Sequence, residues 1–361
     1  MLKVGTDFSG IGSPEAALRR LNLPHKNVFA CEIDKFAKQS YLELNDPDTF
    51  YEDITTRNHS EVEQLDLYVA GFPCQAFSYA GKRKGFADET RGTLFFDVAE
   101  FIRVNQPNCF ILENVRGLVS HDKGRTFQTI TDILSNGGGS LNGQVGLDTI
   151  DNGLGYHVYY KILNTKNFGI PQNRERIFIV GFKNWREFRF PKEFPLDITL
   201  KDLLEYDVNE KYYLSQKMID GFNRHKERHE DKGTGFKWQP KSGDDIANCL
   251  RANAALCPTD NSVIVHNLHP RCGDPKKGGT GHLSKTDGIA YCLDAANSIA
   301  VEREQKIRRL TPLETWRLQG FTDKEFWKAQ KVNSDTQLYK QAGNTITVNV
   351  MVELLKKIYL K

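Results

Sequence analysis

A cysteine directly after a proline is the position in this sequence with the clearest chemical potential. Cys74 follows Pro73 in the octapeptide GFPCQAFS of residues 71–78, at the C-terminal end of an apolar run. In an open α/β sheet, ligands bind outside the carboxyl ends of the strands, and a thiol at such an end can act as a nucleophile. Most lone cysteines are simply buried, so these residues alone leave a nucleophilic and a structural Cys74 both open.

Acidic and basic side chains at two further strand-like runs are candidate partners of that thiol. Glu113 ends an apolar run, which places its carboxylate on the same rim as Cys74. Arg174 and Arg176 precede the strand-like run 177–181, and alternate residues of a strand share a face. The two guanidinium groups are therefore expected to point together, toward a substrate carbonyl, a phosphate or Glu113. A surface ladder of salt bridges is the alternative for this arginine–glutamate–arginine string.

A glycine turn near the N-terminus predicts a ligand-binding loop. Gly10 and Gly12 follow the first strand-like run, and the absence of side chains there lets the backbone approach a ligand. Glu32 ends the next strand, 32 − 12 = 20 residues after Gly12, which is the spacing at which a carboxylate binds ribose hydroxyls. Glu15 replaces the third glycine of the dinucleotide fingerprint, and a pyrophosphate bound there would meet its carboxylate. The turn therefore favours S-adenosylmethionine over NAD. Such turns are often only tight connections.

A second acidic residue is a candidate for contact with the base of a nucleoside. Asp53 follows the aromatic segment Phe50-Tyr51, and its carboxylate could accept a hydrogen bond from an adenine amino group. An aspartate that bonds to its own backbone in a surface turn is the alternative. Both interpretations of Asp53 stay open on the sequence alone.

Strand-like and helix-like segments alternate through the first half of the chain and must position these side chains. Apolar runs typical of strands lie at residues 2–8, 28–31, 67–70, 110–112, 158–162 and 177–181. Helix-like segments lie at residues 16–21, 36–44, 93–104 and 126–134. A last helix is predicted near the C-terminus, where Val350, Leu354 and Ile358 share one face. The alternation predicts an α/β fold with a twisted, largely parallel sheet covered on both faces.

The region of residues 185–333 interrupts this alternation. It holds five of the nine histidines and two glycine-rich stretches. We therefore expect a cofactor-binding and catalytic domain over residues 1–184, completed by a C-terminal helix over 334–361. The interrupting region is predicted to be a second, smaller and loop-rich domain.

Bulk composition excludes several classes of protein. Seven scattered cysteines, an odd number, argue against a disulfide framework. No run has the apolar length of a membrane span and no signal-peptide pattern opens the chain, so we expect a cytoplasmic protein without a membrane partner. The net charge of +3 is too small to indicate nucleic acid by itself. The cysteines and histidines between residues 249 and 292 lack a close Cys-x-x-Cys pair, so no metal is expected.

Six motifs stand in one order along the chain, and each resembles a motif of the DNA (cytosine-5)-methyltransferases. They are FSGIG at residues 8–12, PCQ at 73–75, ENV at 113–115, QNRER at 172–176, RLTP with LQGF at 309–312 and 318–321, and QAGNT at 341–345. The resemblance covers nearly the whole chain. Two departures concern the cofactor end: Thr6 followed by Asp7 replaces the family's earlier aspartate, and Ser13 stands where the family often has a further glycine.

This resemblance implies a Rossmann-like methyltransferase fold that uses S-adenosylmethionine and no metal. It also implies which residues contact the cofactor. The candidate cofactor-binding residues are Phe8, Gly10, Ile11, Gly12, Glu32, Ile33, Asp53, Ile54, Pro73, Leu94 and Asn344.

The resemblance further implies covalent catalysis on a cytosine. Cys74 would attack C6 of the base, and Glu113 would contact N3 and the amino group. Arg176 would assist at the O2 carbonyl, with Arg174 in support, and C5 would receive the methyl group. Because C5 and C6 cannot be reached in this way inside a stacked duplex, the base must be flipped out.

Double-stranded DNA is the implied partner, and region 185–333 is the implied target-recognition domain. The basic loop over residues 81–85 is expected to contact phosphates, with a solvated surface loop as the alternative. Arg271, Lys276 and Lys277 are candidates for phosphate or base contacts. We expect a monomer without an obligatory protein partner, and a cognate restriction endonuclease acting on the same site as a candidate functional partner.

Three alternative functions have specific arguments against them. An RNA cytosine methyltransferase of the same fold would not need the long variable region. A catalytically silent DNA-binding relative would be expected to lose Cys74 or Glu113, and both are present. A dehydrogenase is weakened by the missing third glycine.

Overall fold

The computed structural model describes residues 1–73, 94–135, 153–231, 238–252, 261–266 and 305–360 of the chain. These form two compact units. The first comprises Met1–Thr199, Ile246–Ala255 and Pro312–Lys361, and the second comprises Leu200–Asp245 and Leu256–Thr311.

A seven-stranded mixed sheet forms the centre of the first unit. Its strands are β1 (Leu2–Asp7), β2 (His25–Cys31), β3 (Thr49–Tyr51), β4 (Leu67–Ala70), β5 (Cys109–Val115), β6 (His157–Asn164) and β8 (Glu175–Phe182), in the order β3-β2-β1-β4-β5-β8-β6. Strands β1 to β5 pair in parallel, whereas β8 runs antiparallel to both β5 and β6. The strand order reverses between β1 and β4, and this switch point is where open α/β sheets bind ligands. The predicted α/β class is confirmed.

Helices pack apolar side chains against this sheet. The helices of the first unit are α1 (Ser13–Arg20), α2 (Lys35–Leu44), α3 (Leu94–Asn105), α4 (Arg125–Leu134), α6 (Pro312–Arg317), α7 (Asp323–Gln330), α8 (Asp335–Asn344) and α9 (Val348–Tyr359). In helix α3, Phe95, Val98 and Ile102 recur at helical spacing and are all buried. Fully burying a side chain of this kind contributes about 1.5–3 kcal/mol. In α9, the predicted face of Val350, Leu354 and Ile358 is likewise buried.

Little regular structure is present in the described part of the second unit. It contains α5 (Gln216–Asp231), the antiparallel pair of β10 (Ser262–His266) and β11 (Gln305–Arg309), and short turns of 3-10 helix at Leu200–Leu203 and Glu210–Tyr212. Of the five histidines of this region, His225 and His229 lie on α5 and His266 lies on β10. The two glycine-rich stretches lie outside the described residues, as do His269, His282, Arg271, Lys276 and Lys277.

The two units divide the chain at other points than the sequence analysis expected. Residues 312–333 belong to the first unit, because the Trp316 indole donates to the Leu338 carbonyl at 3.1 Å and Gln319 donates to the Ala342 carbonyl at 2.6 Å. A short return segment, Ile246–Ala255, belongs there too. The division of labour between a catalytic and a target-recognition domain stays a prediction.

Among the residues that the structure describes, no helix is long and apolar enough to span a membrane. The same residues contain no group of three or more histidine, cysteine or acidic side chains arranged to hold a metal ion.

A buried ion pair fixes the carboxyl end of β1. Arg57 donates from both terminal nitrogens to the two carboxylate oxygens of Asp7, each at 2.7 Å, and the Tyr68 hydroxyl donates to Asp7 at 2.7 Å. The Arg57 guanidinium also lies over the rings of Phe29 and Phe101, 4.4 and 4.5 Å from their centroids. Neither side chain of the ion pair is exposed. Asp7, which follows the family's usual aspartate position by one residue, therefore stabilises the core and does not face the crevice.

Replacing Arg57 by Ala should lower the free energy of unfolding by about 3–5 kcal/mol, because the Asp7 carboxylate would remain buried without a partner. Urea unfolding followed by circular dichroism measures this. Lys38→Ala is the matched control, since Lys38 pairs with the exposed Glu52 at 2.7 Å and should leave the unfolding free energy almost unchanged. Equal effects of the two substitutions would show that the buried pair is not needed for stability.

Candidate functional site

The glycine turn after β1 lies at the carboxyl edge of the sheet, next to the switch point between β1 and β4. Phe8, Gly10 and Gly12 have positive φ angles of 54°, 55° and 84°. A Cβ built on Gly10 would meet only the Phe8 carbonyl oxygen, at 4.0 Å, so the space beside it is open. A Cβ on Gly12 would lie 2.2 Å from Nδ2 of Asn45, so Gly12 is required by the neighbouring helix. Gly10 is thus the glycine that leaves room for a ligand.

Glu32 closes this turn from the end of β2. Its two carboxylate oxygens accept from the backbone N–H groups of Gly10 and Asp34, each at 2.9 Å. Burial raises the pKa of Glu32, although these two bonds and the charge of Lys340 oppose the shift. Next to it, the side chain of Ile33 is 76% exposed. A fixed carboxylate beside an exposed apolar side chain is suited to the ribose and the base of a nucleoside.

The other candidate cofactor residues differ in what they can offer. Asp53 accepts from the backbone N–H of Thr55 at 2.9 Å and caps the 3-10 turn at Ile54–Thr56. The side chains of Ile11 and Ile54 are both buried. Ile11, in the glycine turn, can therefore contact a ligand only through its backbone. Pro73 and Asn344 are exposed and Leu94 is half-buried.

The carboxylate of Glu15 faces the interior and not the turn. Its Oε1 accepts from the Tyr41 hydroxyl at 2.7 Å and from the Thr6 hydroxyl at 3.1 Å. Its Oε2 is buried without a hydrogen-bond partner, and burial raises the pKa of Glu15. The sequence argument that a pyrophosphate would meet this carboxylate is therefore wrong, because the side chain is not available to a ligand at the turn.

Glu113 and Arg176 form an ion pair at the carboxyl end of β5. Nε of Arg176 lies 3.1 Å from Oε1 of Glu113, and the two side chains are only 17% and 11% exposed. Burial raises the pKa of Glu113, and the charges of Arg176 and Arg174 act against that rise. The Glu113 carboxyl group therefore holds a proton more readily than an exposed glutamate does, which favours a part in acid–base chemistry.

The other oxygen of Glu113 faces the loop that carries the predicted nucleophile. A Cβ built on Gly71 would lie 3.6 Å from Oε2 of Glu113 and 3.7 Å from Cδ1 of Ile346. The amide of Asn114 donates to the Phe72 carbonyl at 2.9 Å and ties this loop to β5. Cys74 itself lies outside the described residues, as does the basic loop 81–85.

Arg174 binds backbone groups from distant parts of the chain. It is 3% exposed, and its Nη2 donates to the carbonyls of Gly343 at 3.1 Å and Thr345 at 2.8 Å. Its Nη1 donates to the carbonyl of Leu250 and to Sγ of Cys249, each at 3.4 Å. Burial lowers the pKa of Arg174, and the charge of Arg176 adds to this effect. Both terminal nitrogens of Arg174 are thus already used by the protein, while its Nε is buried without a hydrogen-bond partner in the described part of the chain.

Sequence reasoning identified the glycine turn, Glu32, Glu113 and the two arginines, and the structure places each at the sheet's carboxyl edge or next to it. It missed the contribution of Cys249 and Leu250, which it assigned to the second domain. It also missed Ile346 beside Gly71. No local pattern marks these residues, because their proximity arises from contacts between distant segments.

The mixed α/β sheet with a glycine turn at its switch point has the architecture of the S-adenosylmethionine-dependent methyltransferase fold. Solved structures agree: the S. pombe Dnmt2 methyltransferase superposes with a TM-score of 0.65 at 18% identity, covering 99% of this chain and 97% of that one. The Entamoeba histolytica methyltransferase EhMeth gives a TM-score of 0.63 at 16% identity, with 99% and 98% coverage.

The sequence matches the family described as C-5 cytosine-specific DNA methylase over residues 4–360. The chain therefore belongs to this family and is a DNA (cytosine-5)-methyltransferase. It is 41% identical to the Type II methyltransferase M.HpaII of Haemophilus parainfluenzae, over 98% of this chain and 88% of that protein. It is 35% identical to M.NlaX of Neisseria lactamica, with 97% and 94% coverage. The orphan methyltransferase M.SPRI of Bacillus phage SPR is 32% identical, with 99% and 97% coverage.

Glu15→Gln should become increasingly stable relative to the wild type as the pH rises above about 4.5, the ordinary pKa of a glutamate. The folded state retains the Glu15 proton that the unfolded chain has already lost. The contribution of Glu15 to wild-type stability is therefore largest below that value and falls up to the raised pKa, by at most about 1.4 kcal/mol per pH unit. Urea unfolding of both proteins across a pH series measures the difference.

Exposed Glu52→Gln serves as the control for this series, because Lys38 lowers the pKa of Glu52 and no rising difference is expected there. Stability curves for Glu15→Gln and wild type that ran parallel at all pH values would show that Glu15 has no raised pKa.

Proposed function

We propose that this protein transfers a methyl group from S-adenosylmethionine to C5 of a cytosine flipped out of a specific double-stranded DNA sequence. The reaction would pass through a covalent bond between Cys74 and C6 of the base. The observation that carries this proposal is the buried Glu113–Arg176 pair at 3.1 Å, whose other carboxylate oxygen lies next to Gly71. Gly71 precedes Pro73 and Cys74 in the chain by only two and three residues.

The geometry supports an acid at N3 of the ring. C5 of cytosine is a weak nucleophile until a group adds at C6, and the Cys74 thiolate supplies that addition. As the Cys74–C6 bond forms, electrons move from the ring double bond toward N3, where protonated Glu113 gives up its proton. Arg176 would contact the O2 carbonyl next to N3 and compensate the charge that Glu113 acquires.

The later steps restore the aromatic ring. C5 carries the released electron density and takes the methyl group; when bound, S-adenosylmethionine supplies that group as an electrophile. Removal of the C5 proton by a base then expels Cys74 as a thiolate, and the proton on N3 returns to Glu113. The enzyme ends the cycle with both side chains in their starting state.

The cofactor end of the crevice fits S-adenosylmethionine in its polar and apolar groups. Glu32 would accept from the ribose hydroxyls, with its orientation fixed by the N–H groups of Gly10 and Asp34. Exposed Ile33 offers an apolar surface to the adenine ring. Asp53 would accept from the adenine amino group through the carboxylate oxygen that does not cap its turn. Gly10 leaves the space that a bulkier residue would fill.

We further propose that the part of residues 185–333 that belongs to the second unit reads the DNA sequence, and that the protein acts as a monomer in the cytoplasm. The relatives M.HpaII and M.NlaX are named Type II methyltransferases, which supports a role beside a restriction endonuclease of the same specificity. The decisive experiment is incubation with labelled S-adenosylmethionine and either duplex DNA or transfer RNA. Label in cytosine C5 of DNA supports the proposal, whereas label only in transfer RNA would make this an RNA methyltransferase.

Cys74→Ala should abolish methylation while cofactor and DNA binding remain largely intact, because the thiol acts on the base and not on the fold. Methyl transfer to plasmid DNA and binding to a labelled duplex are the two measurements. A duplex containing 5-fluorocytosine should form a denaturation-resistant adduct with the wild type and none with the variant. Methylation by Cys74→Ala would show that another group is the nucleophile.

Glu32→Ala should weaken binding of S-adenosylmethionine by about 1–3 kcal/mol, the cost of leaving a buried or charged hydrogen bond unmade. Isothermal titration calorimetry without DNA measures this directly. Glu52→Ala is the control and should bind the cofactor as the wild type does, because Glu52 is exposed and directly follows β3. If Glu32→Ala bound the cofactor with unchanged affinity, Glu32 would not be part of the cofactor site.

A further inference from the structure

A short segment that follows residue 245 is built into the catalytic unit. Strand β9 (Ala247–Asn248) pairs in parallel with β7 (Gln172–Asn173). The backbone N–H of Leu250 donates to Oε1 of Gln172 at 3.2 Å. A Cβ on Gly343 would lie 2.4 Å from the carbonyl of Arg251, so only a glycine lets this backbone pass the last motif. The segment is thereby fixed on two sides, and Cys249 lies at its middle.

The sulfur of Cys249 lies between two guanidinium groups. It accepts from Nη1 of Arg174 at 3.4 Å and from Nη2 of Arg176 at 3.7 Å. Its own thiol hydrogen points to the Leu250 carbonyl, 3.5 Å from the sulfur. The sulfur is therefore a shared acceptor between two like charges, and sulfur is polarizable enough to serve both.

Arg176 is held through all of its side-chain nitrogens. Nη1 donates to the Glu175 carbonyl at 2.8 Å, Nε lies 3.1 Å from Glu113, and Nη2 reaches Cys249. The Glu175 carbonyl belongs to the residue directly before Arg176, so it moves together with Arg176 on the same strand and does not fix the side chain to another segment. Cys249 is the contact that anchors the far side of the guanidinium to a different part of the chain. Without it, the arginine could rotate away from Glu113 under repulsion from Arg174.

We propose that Cys249 is a positioning residue for methyl transfer: its sulfur holds the Arg176 guanidinium against Glu113 in the geometry that the reaction needs. This inference rests on the proposed function, in which Glu113 and Arg176 act on the cytosine ring. Cys249 itself touches no reacting atom. Cys249 acts only through Arg176. This effect depends on the sulfur of Cys249 as a hydrogen-bond acceptor and not on the volume of its side chain.

Cys249→Ala and Cys249→Ser form a matched pair, because both remove nearly the same volume and only serine keeps an acceptor. Cys249→Ala should lower kcat for DNA methylation by about ten- to a hundredfold, the effect of a small misplacement of a catalytic group. The KM for S-adenosylmethionine should stay unchanged, since Glu32 and the glycine turn are not involved. Cys249→Ser should keep a kcat close to that of the wild type.

Cys109→Ala is the control for loss of a buried cysteine in the same unit, at the opposite end of β5 from Glu113. It should lower the thermal midpoint at least as much as Cys249→Ala does, and leave kcat unchanged. This comparison separates positioning from stability. If Cys249→Ala and Cys249→Ser had equal kcat values, whether both normal or both low, the acceptor role would be overturned.

The proposed function and the role of Cys249 would be overturned by different results. A wild-type protein that methylates no cytosine in duplex DNA would overturn the proposed function before any variant is compared. An active wild type with an equally active Cys249→Ala would leave the proposed function intact and overturn the role of Cys249. An active wild type with a low kcat only for Cys249→Ala, at unchanged cofactor KM, supports both.

Discussion

The removal of two opposite charges from water, on Glu113 and Arg176, is the constraint on which the rest of the site depends. A buried charge without a partner costs several kcal/mol, so the two side chains must stay together at the 3.1 Å that the structure shows. Their pairing also sets the chemistry. Burial raises the pKa of Glu113 while the charges of the arginines act against that rise, which favours the proton transfer proposed for its carboxyl group.

This pair is supported by segments that are far apart in the chain. Arg174 connects the carbonyls of Gly343 and Thr345 to the Leu250 segment. Asn114 connects β5 to the loop after β4. Each support uses backbone carbonyls as acceptors, and these move only with the elements that carry them. The site is therefore as rigid as the packing of the surrounding strands and helices.

A second buried polar layer lies beneath the cofactor-side turn. Asp7 pairs with Arg57, and Glu15 accepts from Tyr41, so both acidic side chains are used inside the protein. Glu32 differs from them because its carboxylate ends β2 at the rim, where the turn's own N–H groups reach it. Acidic residues that look alike as ligand candidates in the sequence thus have different functions, and the direction of each side chain decides which.

By itself, the sequence determined the α/β class, the strands and helices of the first half, and the family, because apolar periodicity, glycine turns and ordered motifs are local signals. It also predicted Glu32, Glu113 and Arg176 at strand ends. The antiparallel direction of β8, the inward turn of Glu15 and the return of Cys249 to the catalytic unit were decided only by the tertiary structure. Each depends on contacts between residues distant in the chain, and such contacts are fixed by packing and the pairing of buried charges, which no local pattern encodes.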